Sequence, residues 1–177
     1  LFKKTDLKDS SHWQVGEKIV HKKLMQFIDN HITDYKTNRD FPAIDGTSSL
    51  SPYLALGVIS PRQAIHQVLQ FTHGEWDGKN AGAGCWISEL IWREFYQHIL
   101  VSFPHVCKRQ PMQAYTEAFP WRSDKNLFSA WCEGKTGIPI VDAAMRQLLA
   151  TGWMHNRLRM VVAMFLTKNC QIDWRMG

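Results

Sequence analysis

Thr151-Gly152-Trp153-Met154-His155-Asn156-Arg157-Leu158-Arg159-Met160 places an aromatic ring, an amide and two guanidiniums beside a helix start, a set suited to an anionic, aromatic ligand. Just upstream, Thr136-Gly137 reads as a turn. Ile138-Pro139-Ile140-Val141-Asp142-Ala143-Ala144-Met145 then reads as a helix entered through Pro139 and stopped at Gly152. A second helix starting near His155 puts Asn156 and Arg159 on one face and Leu158, Val161, Val162 and Phe165 on the buried one. Cations this close to a helix N-terminus oppose its dipole unless an anion lies between them. The pattern therefore favours a bound anion over a solvent-facing basic turn.

Working outward, the same helical period recurs. Val20, Leu24, Phe27, Ile28 and Ile32 mark an amphipathic helix over residues 15–32, with Lys18, Lys22 and Lys23 among its polar positions. Residues 33–49 lose the period and read as an irregular loop. Ser51-Pro52 and Ser60-Pro61 each set a capping hydroxyl before a proline, predicting two short helices, and Gln63 completes a capping box with Ser60. Residues 74–84 read as a glycine-bearing linker, followed by a helix from about Cys85 to Val101. Residues 108–124 form a loop, and residues 126–133 a short helix. No alternation of period two appears, so the fold class is all-α.

The 177 residues are 45% hydrophobic, enough for one sizeable core. A net charge of +5 permits a polyanionic partner without demanding one. Cys85, Cys107, Cys132 and Cys170 show no paired spacing and read as small core residues of a reduced, cytoplasmic compartment. No apolar run approaches the roughly 20 residues of a membrane span. His98, His105 and His155 read as surface or satisfied core histidines, and no metal site is expected.

The run from Gly134 to Leu148, joined to Thr151–Met160, closely resembles the signature of the DNA photolyase and cryptochrome family. Gly46–Arg62 resembles that family's flavin-phosphate loop, and Trp86–Tyr96 (Trp-Ile-Ser-Glu-Leu-Ile-Trp-Arg-Glu-Phe-Tyr) is a third match in family order. The details are most like bacterial class I members that repair cyclobutane pyrimidine dimers. The resemblance implies a helical domain holding flavin adenine dinucleotide (FAD), active in its reduced form. It also implies light-driven electron transfer to a dimer flipped out of duplex DNA, and a monomer attached to the nucleoid through DNA. Family members carry an N-terminal α/β domain with a folate or deazaflavin antenna, for which residues 1–177 show no strand and helix alternation. The chain is therefore expected to be part of the flavin domain, inactive by itself, with the antenna domain and the last helices outside it. A cryptochrome without repair activity is the nearest alternative, and a cofactor-free helical nucleic-acid-binding module is a more distant one.

Residue by residue, the resemblance assigns flavin contacts to Tyr35, Thr47, Ser48, Ser49, Leu50, Ser51, Trp86, Arg93, Trp153, Asn156 and Arg159. By residue type alone, the hydroxyl cluster can hold a phosphate without a lysine clamp, or can simply be a helix cap with a serine-rich turn. Trp86, Glu89, Arg93 and Tyr96 share a helix face, which a Glu89–Arg93 pair can stabilise in water. The resemblance gives Glu89 a hydrogen bond to the damaged bases and Trp92 a stack on the flipped dimer. It places Arg39, Asn156, Arg157 and Met160 on DNA or lesion. Trp121 and Trp174, which by residue type read as isolated core aromatics, correspond to the distal and middle members of a tryptophan electron chain.

Overall fold

The computed structural model describes residues 11, 13–76 and 80–177, and its helices form two compact units. Residues 77–79 of the expected linker lie outside the described residues.

The unit Trp13–Ser102 is built on α1 (Glu17–Asn30), α2 (Tyr35–Asn38), α3 (Ser51–Ala55), α4 (Pro61–Phe71) and α5 (Ala81–Ser102). Val20, Leu24, Phe27 and Ile28 make one stripe on α1 and are all buried. They share a core with Tyr53, Ile59, Ala64, Val68, Trp86, Ile87 and Leu90. Each fully buried aliphatic or aromatic side chain stabilises by about 1.5–3 kcal/mol relative to exposure. Ser60 closes the predicted box at α4, its hydroxyl accepting from the Gln63 N–H at 3.2 Å and the Gln63 side chain accepting from the Ser60 N–H at 3.0 Å. The expected cap at Ser51 does not form. Ser51 is the first residue of α3, and Leu50, buried in the core, occupies the cap position without a side-chain hydrogen bond.

Two sequence expectations are corrected here. The loop 33–49 contains a helical turn, α2. And α5 begins at Ala81, four residues earlier than the glycines suggested. The cause is packing, since a Cβ on Gly82 would sit 2.5 Å from the Thr33 carbonyl oxygen and closer still to that of Ile32. Gly82 thus brings the start of α5 against the chain just before α2.

The unit containing Phe103–Gly177 holds α6 (Lys125–Glu133), α7 (Pro139–Thr151) and α8 (Asn156–Met164), preceded by two 3₁₀ turns, Pro104–Lys108 at the entry to the expected loop and Ala114–Ala118 inside it. Asp124 caps α6 by accepting the Leu127 N–H at 2.9 Å. Pro139 opens α7, and Gly152 closes it at a φ of 70° that favours glycine. Helix α8 runs on into a π-helical turn, Phe165–Asn169. The core joins Trp131, Val141, Met145, Met154, Leu158, Val162 and Leu166, and the buried Trp131 Nε1–H donates to the Val162 carbonyl at 3.1 Å. Cys170 is buried as expected, but Cys107 is exposed, on a 3₁₀ turn that buries none of its residues. Among the described residues there is no strand and no helix long and apolar enough to cross a membrane.

Candidate functional site

In the unit Trp13–Ser102, two of the candidate residues, Tyr35 and Glu89, meet a third, Arg39, just past α2. Its guanidinium pairs with the Glu89 carboxylate and reaches Cys85 Sγ at 3.0 Å, and it lies 5.5 Å from the centroid of the Tyr35 ring. Burial opposes the charge on Arg39, but the hydrogen bonds to Glu89 and Cys85 outweigh it, so the guanidinium is held protonated more firmly than in free arginine. Burial likewise pushes the Tyr35 phenol up to about 12. Arg39 pulls the other way, and Glu89, Cys85 and Asp40 add to the rise. Tyr35 therefore stays a neutral O–H donor through the physiological range, the form suited to facing a phosphate oxygen.

The Glu89–Arg93 pair that the spacing along α5 allows is not the one made. Glu89 turns to Arg39, and Arg93 donates to the Leu54 carbonyl at 3.3 Å. Trp86 is buried against Phe27, with ring centroids 5.5 Å apart. One turn beyond Glu89, Trp92 is 52% exposed and meets Phe95 edge-on at 5.4 Å and Tyr96 at 6.1 Å. Thr47, Ser48 and Ser49, all half-buried, line a small polar cavity, and Ser49 holds a φ of 49°, rare for a residue with a Cβ. Leu50 contributes to the core, so its part in any ligand contact is limited to its backbone.

In the unit containing Phe103–Gly177, α8 starts at Asn156 because His155 is its cap. The imidazole is buried, and its Nδ1 accepts the Arg157 N–H at 3.1 Å. Arg159 Nε donates to the Met154 carbonyl at 3.1 Å, while Arg157 reaches Met160 Sδ at 3.6 Å. Asn156 and Met160 are exposed. Trp153 is half-buried, edge-on to His155 at 6.3 Å. Trp174 is not a core aromatic: it is 39% exposed, stacks beneath Arg175 at 5.8 Å, and lines a cavity of about 300 Å³ with Trp131, Met145, Met154 and Arg159. Trp121 is half-buried beside Phe119 at 4.5 Å, with its indole N–H buried and lacking a hydrogen-bond partner.

Sequence reasoning missed Cys85 as a neighbour of Arg39. It also missed His155 as a cap, and Lys23 and His31 as walls of the Thr47–Ser49 cavity. Lys23, Phe27 and His31 recur every four residues, so their shared face was readable, but nothing in the spacing said what that face meets.

Hydroxyls ahead of a helix start, guanidiniums and aromatic rings are the groups that a protein binding an anionic aromatic cofactor uses, which makes a flavin-binding helical protein the class to compare. Residues 86–177 match the family described as the FAD binding domain of DNA photolyase, and the chain belongs to that family. It is 52% identical to the deoxyribodipyrimidine photo-lyase of Escherichia coli over 96% of its own length and 35% of that protein's. The crystal structure of a bacterial class III photolyase from Agrobacterium tumefaciens matches with a TM-score of 0.88 at 44% identity, over 95% of this chain and 34% of that one. A cryptochrome from Synechocystis matches with a TM-score of 0.77 at 34% identity, over 93% of this chain and 34% of its own. The chain thus spans about a third of the length of these relatives.

Proposed function

We propose that this chain is the flavin-binding segment of a light-driven enzyme that reverses cyclobutane pyrimidine dimers in DNA. The observation that carries the reading is on α5, where Glu89, fixed by Arg39, lies one turn before the exposed ring of Trp92. A carboxyl beside a free aromatic surface can hydrogen-bond and stack a flipped pyrimidine pair, and flipping is required because a stacked lesion cannot enter a pocket. In the unit containing Phe103–Gly177, Asn156 can both donate to and accept from a base edge, while Arg157 and Met160 follow it on α8. Arginine contacts to phosphates supply salt-dependent affinity.

Taken unit by unit, the donors suit parts of FAD: the neutral Tyr35 phenol, the Thr47–Ser49 hydroxyls and the end of Arg93 in the unit Trp13–Ser102, and separately the end of Arg159 in the unit containing Phe103–Gly177, can meet phosphate or ring oxygens. When bound and reduced, FAD supplies the light-driven electron for dimer cleavage. Trp121 and Trp174 offer oxidisable indoles that can pass a hole between them. The full-length protein works with an antenna chromophore, as a cytoplasmic monomer associated with the nucleoid through DNA.

Illuminating the full-length protein with reduced FAD and a thymine-dimer oligonucleotide tests this reading. Dimer reversal only in the light is expected, and residues 1–177 alone are expected to leave the dimer intact. Flavin absorption without reversal instead favours a light-signalling role, the second reading that the Synechocystis match supports. No flavin absorption at all would return the chain to a cofactor-free nucleic-acid-binding module.

A further inference from the structure

The hydroxyl loop Thr47–Ser49 has a second wall that its own sequence does not announce. Helix α1 and its C-cap present Lys23, Phe27 and His31 at successive turns, and these line, with Thr47, Ser48 and Ser49, a cavity of about 130 Å³. Apart from the Phe27 ring, the named wall residues are polar. His31 is held in place by stacking on Phe27, with centroids 6.4 Å apart and planes at 24°. Lys23 is half-buried and makes no ion pair among the described residues, although Asp45 lines the same cavity.

A diphosphate is anionic, and neutral hydroxyls can accept or donate hydrogen bonds but cannot offset its charge. Asp45 would repel it. The cavity therefore suits a phosphate only if a cation lies in its wall, and Lys23 is the cation there. Resting on the flavin reading above, we propose that Lys23, assisted by an N–H of His31, binds the diphosphate of the flavin dinucleotide against Thr47, Ser48 and Ser49. The phosphate loop then does have a lysine, supplied from a helix more than twenty residues earlier in the chain.

The test uses the full-length apoprotein and measures flavin binding by fluorescence quenching and equilibrium dialysis. Lys23→Gln should weaken FAD about tenfold, reduce the salt dependence of FAD affinity, and leave riboflavin, which has no phosphate, unchanged. Lys23→Arg should retain most of the affinity. Lys22→Gln makes the same charge change at an exposed neighbouring position and should have no effect. Circular dichroism establishes that each variant is folded. The inference is overturned if Lys23→Gln binds FAD as the parent does, if riboflavin weakens equally, or if Lys22→Gln weakens FAD equally. If the parent itself binds no FAD, the flavin reading fails as well, whereas FAD binding that ignores Lys23 sinks only this assignment.

Discussion

The two units hold their candidate residues by different means. Around α2 and α5 the holding is tertiary. Arg39 is fixed by Glu89 and Cys85, both on α5, and Arg93 by the Leu54 carbonyl, across sequence separations of 39 to 50 residues. At the start of α8 the holding is local, with Arg157 capped through His155 two residues away and Arg159 tied to the Met154 carbonyl five away. A tertiary mesh sets side-chain direction before any ligand arrives, at the cost of coupling each residue to the others. A local frame ties each group only to close sequence neighbours and leaves Asn156 and Met160 exposed. Perturbing the first should therefore spread through its unit, while perturbing the second should stay at the altered residue.

The largest effect is expected where the mesh is cut. In Arg39→Met, Glu89 loses its partner in a half-buried setting, and a hydrogen bond to a charged group contributes about 1.5–3 kcal/mol. A double-mutant cycle with Glu89→Gln, followed by urea unfolding, should give a coupling of about 1–2 kcal/mol. By contrast, Asn156→Ala should change stability by no more than about 0.5 kcal/mol. An additive Arg39–Glu89 cycle would remove the distinction between the units.

That distinction also decides what was legible in the sequence. The stripe Val20, Leu24, Phe27 and Ile28, the Ser60–Gln63 box, and the Pro139 entry and Gly152 exit of α7 depend on neighbours a few residues apart, and each forms as read. The early start of α5 was hidden because Gly82 and Gly84 look like linker residues until the chain at Ile32 and Thr33 is seen to need the space. The Glu89–Arg93 pair, one of two readings that the residue types left open, does not form for a related reason. Spacing along a helix gives the pairs that can form, and a better-placed cation from elsewhere in the fold took Glu89. The hydroxyl loop was legible, but Lys23 opposite it was not, since no local pattern reports which surfaces meet.

A smaller effect, pH-dependent, is expected from the local frame at the start of α7. Asp142 accepts from the Thr136 N–H at 2.7 Å, the Thr136 hydroxyl at 2.6 Å and the Gly137 N–H at 2.9 Å. The Thr136 side-chain hydrogen bond, opposed by burial and joined by the backbone N–H groups and Arg146, holds the carboxyl below its ordinary value of 3.8. The folded chain thus binds this proton less readily than the unfolded chain does. Its contribution is complete above the ordinary value and is lost as pH falls through the lower folded one. Asp142→Asn should lower the thermal midpoint at neutral pH, and the gap to the parent should narrow on acidification below 3.8. A gap that stays constant into acid would show that the carboxylate charge does not contribute.

A small structural effect, and the sharpest functional separation, is expected at Trp174. Its ring is 39% exposed, contacts Arg175 and borders the roughly 300 Å³ cavity. Phenylalanine in its place therefore removes little buried volume, and stability should change by less than about 1 kcal/mol. The readily oxidised indole is lost, however, and no phenyl ring replaces that property. If Trp174 relays a hole between indoles, as proposed, Trp174→Phe in the full-length protein slows photoreduction of oxidised flavin. Repair started from chemically reduced flavin stays close to that of the parent. The two rates must part company. Loss of flavin content, photoreduction and repair together would mark the position as packing. No change in any of them would mean that electrons reach the flavin by a route that does not pass through the Phe103–Gly177 unit's Trp174.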